Sequence, residues 1–191
     1  QYNGASNWNG GGLHFSHDYG FGLVDATAAV RLAETWDTTS TYANRDVVIG
    51  GTDVANASIP NNNTTGITRT LNVNSGILID KLEVDVNIAH PSTNDLIIQL
   101  IPPDGTISTL VNRPGTQSIF GTTSPANINF TLSSNAFWGE DGNGQWQLLV
   151  KDVRSGNAGS IQNWSLRLYG DDDSINDTYV YTNEFSEARA S

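Results

Sequence analysis

The stretch Leu82-Glu83-Val84-Asp85-Val86-Asn87-Ile88 decides the fold. Four apolar residues alternate with three polar ones. In an extended chain successive side chains point to opposite faces, so this pattern predicts a strand with one face buried and the other wet. Trp164, Leu166 and Leu168 alternate with Ser165, Arg167 and Tyr169 in the same way. Outward from these two, further strands are predicted at residues 67–73, 96–101, 107–111, 128–132 and 146–151, with a first one near 53–59. Turn signals separate them: Asn74-Ser-Gly76, Pro102-Pro-Asp-Gly105, Asp141-Gly-Asn-Gly144 and Ser155-Gly-Asn-Ala-Gly159. Short strands at this spacing, about eight in number, read as an all-β antiparallel jelly-roll sandwich.

The flanks differ in character. A Gly/Asn-rich coil with Asn7, Asn9, Gly10, Gly11 and Gly12 leads into one predicted helix. Asp25 is placed to cap its first turn. Ala29, Leu32, Ala33 and Trp36 follow at the spacing of a single buried face. A helix this short is unstable alone, so that face must pack on something. Residues 37–52, with the polar run Asp37-Thr-Thr-Ser-Thr, read as a linker. The expected organisation is therefore a tail and helix over 1–36, a linker over 37–52, a β domain over 53–170 and an acidic tail or linker over 171–191.

Composition narrows the function classes. The chain has 191 residues, with 9 Lys and Arg against 20 Asp and Glu, a net charge of −11. That balance argues against nucleic acid and anionic membrane as partners and is compatible with a cation such as calcium. From Asp171 onward there are six acids and one Arg, so much of the charge sits in the tail. There is no Cys, which removes disulfides, thiolate zinc sites and cysteine nucleophiles. Methionine is also absent, so a processed product or an excised piece is expected. No apolar run approaches the roughly 20 residues of a membrane span, and no signal peptide is visible.

Two sets of motifs resemble one family. The segment Ser16-His17-Asp-Tyr19-Gly20-Phe21-Gly22-Leu-Val-Asp25-Ala26 is similar to the end of the catalytic domain in kexin-like subtilases, where it runs into a final helix. Residues 59–170 resemble the P domain of kexin- and furin-like convertases. The matching blocks are His90-Pro-Ser-Thr-Asn-Asp95-Leu96 with Pro103-Asp-Gly105-Thr106, then Phe137-Trp138-Gly139-Glu140 with Gly144-x-Trp146-x-Leu148-x-Val150-x-Asp152, then Asn163-Trp164-Ser165-Leu166-x-Leu168-Tyr169-Gly170. Animal convertases carry Arg-Gly where this chain has Thr93-Asn94, and the missing disulfides point to a bacterial secreted relative. The resemblance implies a helix that belongs to a protease catalytic domain, and that domain as the partner of the sandwich. It further implies a calcium-dependent secreted endopeptidase whose folding and stability the P domain supports. A substrate- or glycan-binding targeting module of the same protease is the alternative.

No catalytic set is legible. Residues 1–24 lack the Gly-Thr-Ser-x-Pro context of a subtilase nucleophile, and Gly121-Thr-Thr-Ser124-Pro125 lies in the β zone, where it reads as a loop. By the resemblance His17 and His90 are structural. Calcium takes six to eight oxygen ligands, and Asp85, Asp95, Glu140, Asp141 and Asp152 sit on or beside turns that could converge at one end of a sandwich. The competing reading has Asp95 and Asp152 capping turns. Asp171-x-Asp173-x-Ile175-x-Asp177 imitates part of an EF-hand loop, but Ile at the fifth position and Asn at the sixth break the pattern.

Overall fold

The computed structural model describes residues 8–35, 46–54, 56–74, 76–114 and 126–172. Two antiparallel sheets face each other. The first runs β1 (Asp46–Asp53), β9 (Gly159–Asp172), β4 (Ile77–Ala89), β7 (Ile128–Ser134), with β2 (Ala57–Ile59) also paired to β9. The second runs β3 (Asn63–Val73), β8 (Gly144–Asp152), β5 (Leu96–Ile101), β6 (Ser108–Asn112).

The alternating stretches form the heart of this sandwich. Leu82, Val84, Val86 and Ile88 of β4 are buried, and so are Trp164, Leu166 and Leu168 of β9. Those two strands lie side by side, Val84 opposite Leu166 and Val86 opposite Trp164. The register shifts between Ile79 and Lys81. The extra residue changes the phase, so Ile77 and Ile79 point inward as well. From the facing sheet Leu96, Ile98, Leu100, Trp146, Leu148 and Val150 complete the core. Phe137 meets Trp146 edge to face at 5.3 Å. The indole N–H groups of both buried tryptophans have partners, Trp146 donating to the Gly142 carbonyl at 2.9 Å and Trp164 to Asp53 Oδ2 at 3.2 Å. A buried indole without a partner would be costly, so these bonds fix where each ring can sit.

Two expectations change. Residues 46–52, read as linker, belong to strand β1, which pairs with β9 from Asp46–Gly170 to Asp53–Trp164. Val47 and Ile49 are exposed and a bulge follows Ile49, so β1 carries no clean inward alternation. Its place is set by the free edge of β9. The strand expected near 53–59 is two elements, β1 and β2, so the described residues hold nine strands where about eight were expected. The helix α1 spans Ala26–Thr35, and Asp25 Oδ1 accepts from the Ala28 amide at 3.0 Å as foreseen. None of its residues is buried. Trp36, the Ser124-Pro125 loop and the EF-hand-like pattern beyond Asp172 lie outside the described residues.

Candidate interdomain seam

The segment before α1 is stitched to one end of the sandwich. Asn9 is the centre of the stitching. Its Nδ2 donates to the carbonyls of Ala136 at 3.0 Å and Trp138 at 2.9 Å, and its Oδ1 accepts from the Leu13 amide at 2.8 Å. All the polar capacity of a buried carboxamide is thus nearly filled by backbone groups. Next to it the Gly10 amide donates to Glu140 Oε1 at 3.1 Å. Gly11 lies directly on the 138–139 backbone: a Cβ there would come within 2.6 Å of the Trp138 carbonyl oxygen. Further along, the Thr109 amide donates to His17 Nε2 at 2.8 Å. Phe15, Phe21 and Trp138 form an aromatic run, with Phe21 edge-on to Trp138 at 5.8 Å. Two short bridges, Trp8–His14 and Ser16–Gly20, shape the segment itself.

Glu140 is 1% exposed. Burial first, and then the charge of Asp104, push its carboxyl up to about 8. The neighbouring Thr106 hydroxyl and the Gly10 amide act in the opposite direction. Its Oε2 is buried without a hydrogen-bond partner.

The five carboxylates read from the sequence as a calcium set fall in separate surroundings. Asp85 is on the outer face of β4, where it accepts from Thr131, Ser165 and Arg167. Arg167 above all holds its carboxyl below the usual range. Glu83 on the same face bonds Lys81, Tyr169 and Arg167, and is held down to about 2. Asp152 is fully buried at the opposite strand end. Its Oδ2 lies 3.3 Å from His90 Nε2, and its Oδ1 accepts from the Arg154 amide. His90 Nδ1 contacts the Ser92 carbonyl oxygen at 2.7 Å. Asp95, in the 3-10 turn Thr93–Asp95, accepts from Asn157 Nδ2 and takes the Val153 amide on its carbonyl. Asp95 and Asp152 are neighbours through the backbone, with Leu96 opposite Asp152 in the β5–β8 ladder, but only Asp152 contacts His90. Asp141 is exposed, with Oδ1 on the Asn143 amide. Among the described residues no three His, Asp or Glu side chains gather to hold a metal ion. Asn9, Asp104 and Arg167 were not picked out from the sequence. Asn9 and Asp104 lay in turn signals, the Asn-Gly-Gly-Gly run and Pro102-Pro-Asp-Gly105, and Arg167 at an outward strand position.

A family model described as the proprotein convertase P-domain matches residues 79–168. Residues 79–168 form a proprotein convertase P-domain. Proprotein convertase subtilisin/kexin type 6 of Rattus norvegicus is 33% identical over 179 residues, which cover 87% of this chain and 18% of that protein. Kexin of Saccharomyces cerevisiae is 30% identical over 183 residues, 92% of this chain and 22% of kexin. The crystal structure of the Aeromonas sobria serine protease with a chaperone aligns at a TM-score of 0.71 and 26% identity, over 86% of this chain and 33% of that one. The chain thus spans a third or less of the length of these relatives. At such coverage the match to kexin takes in residues on both sides of 79–168.

Proposed function

We propose that this P domain stabilises, and supports the folding of, the catalytic domain of a secreted subtilisin-like serine endopeptidase. In this reading residues up to the end of α1 are the last part of that catalytic domain. The observation that carries it is the seam. Asn9, Gly10 and Gly11 are bound to Ala136, Trp138 and Glu140 by buried side-chain and backbone contacts, a rigid joint rather than a loose tether. The exposed Leu23, Val24 and Val30 then form the face that meets the rest of the catalytic body. Burying that face would shift the protease's unfolding equilibrium and slow its inactivation. The strand orders β1–β9–β4–β7 and β3–β8–β5–β6 support the jelly-roll description of the domain. An extracellular location is supported by the similarity, at 27% identity, to a protein named Aeromonas extracellular serine protease. Among the described residues no helix is long and apolar enough to cross a membrane.

The test is to truncate the parent protease after Trp36 and compare active-enzyme yield and thermal-inactivation half-life with the untruncated form. Low yield or a shortened half-life is expected. An unchanged half-life would instead leave the P domain as a targeting module for substrate or glycan.

A further inference from the structure

Asn9 and Gly10 form an Asn-Gly pair at the centre of the seam. That dipeptide is chemically fragile. With no side chain on the glycine, its backbone nitrogen can attack the asparagine carboxamide, and asparagine is accordingly one of the thermolabile residues. Closing the ring needs three freedoms. The carboxamide must swing round, the backbone between the two residues must turn, and the glycine nitrogen must give up its proton. The docked seam withholds all three. The Asn9 side chain is pinned at both ends, Nδ2 on the Ala136 and Trp138 carbonyls and Oδ1 on the Leu13 amide. The Asn9 amide donates to the Leu13 carbonyl at 2.8 Å, and the Asn9 carbonyl accepts from the Gly12 amide at 3.0 Å, so the backbone is held as well. The Gly10 amide proton is committed to Glu140 Oε1. Asn9 itself is buried.

We propose that Asn9-Gly10 is a latent deamidation site, masked while the N-terminal segment is docked and reactive once it lifts away, so that release of the seam becomes irreversible. In the reaction the Gly10 nitrogen bonds to Asn9 Cγ and the Cγ–Nδ2 bond breaks. The proton lost from the Gly10 nitrogen leaves with Nδ2 as ammonia. Water then opens the succinimide, at one carbonyl to an aspartyl residue and at the other to an isoaspartyl link. Both products are barred from the old socket. The group that donated to two carbonyls is now an acceptor, so Ala136 and Trp138 lose their partner. A carboxylate there would also sit unpaired in a buried place. The isoaspartyl form lengthens the backbone by a methylene besides. The rate of loss is then set by the population of the open seam. The inference rests on the seam's own contacts, so it holds whichever way truncation of the parent protease turns out.

The test incubates the full 191-residue chain in mildly alkaline buffer, with and without unfolding urea. Peptide mass spectrometry follows the change from amide to acid at Asn9. Conversion in the native chain should be slower than in urea by about tenfold or more. Asn9→Asp puts the aspartyl product in place from the start. It should speed amide exchange at Leu13 by about tenfold or more, while amides in β4 and β9 stay protected. Asn9 lies outside the hydrophobic core, so this variant keeps its fold. Equal rates in buffer and urea, or no conversion in urea, overturn the site. Leu13 exchange unchanged in Asn9→Asp overturns the irreversibility, because the product would then dock as before.

Discussion

Arg167 organises the outer face of the first sheet. Its guanidinium reaches Glu83 and Asp85 on the neighbouring strand, and Tyr169 and Ser165 complete the bonds to the same two carboxylates. Glu83 is depressed from 4.5 to about 2, by Lys81 first and then Tyr169 and Arg167, and Asp85 moves the same way, chiefly through Arg167. A carboxyl whose folded pKa is lowered contributes stability above its unfolded pKa, and loses that contribution as the pH falls through the folded one. The network therefore stabilises above about pH 4.5 and fades towards pH 2. Arg167→Met is expected to cost about 1–2 kcal/mol at neutral pH and to flatten the acid limb of the urea midpoint against pH. The buried pair behaves differently. His90 and Asp152 are both without solvent contact, so removing one strands the other. His90→Ala should cost about 2–4 kcal/mol in chemical unfolding, more than any change on the outer face.

At the scale of elements, the seam segment is held by the polar bonds of Asn9 together with the packing of Phe15 and Phe21. Asn9→Ala removes three bonds to backbone groups at once. Amide exchange at Leu13 should then accelerate by about tenfold or more, while amides in β4 and β9 stay protected. Gly11→Ala should act in the same direction, because the Trp138 carbonyl leaves no space for its methyl group. Strand β9 has its own steric limit at Gly170, where a Cβ would meet the Leu78 carbonyl oxygen at 1.7 Å. Strands β4, β5, β8 and β9 were legible because one face of each is dry, and burial with period two writes itself into composition. Strand β1 was not. Its Val47 and Ile49 point to solvent, Val48 alone packs inward as a large side chain, and pairing with the edge of β9 makes residues 46–53 extended. The helix was legible from its cap and period, yet the described contacts leave it without a buried residue.

For the molecule as a whole, the core is one continuous layer between the sheets, with Trp146 and Trp164 at its centre. Trp164→Ala should cost about 3–5 kcal/mol, read as a fall in denaturation midpoint. The loss includes the anchor of β1 within the same sheet, since the Trp164 indole also donates to Asp53. The sequence by itself determined the two-sheet class and most strands, the capped helix and the family of the sandwich. Alternation, turn residues and short motifs are local, and each follows from what one segment needs in order to bury a face. The tertiary structure alone decided which carboxylates meet. Asp85 went to Arg167, Asp152 to His90, Asp95 to Asn157, and Glu140 to Gly10 beside Asp104. Spacing along the chain does not carry that information. Loops that meet at one end of a sandwich come from strands far apart in sequence, and their pairing is fixed only once the sheets have stacked.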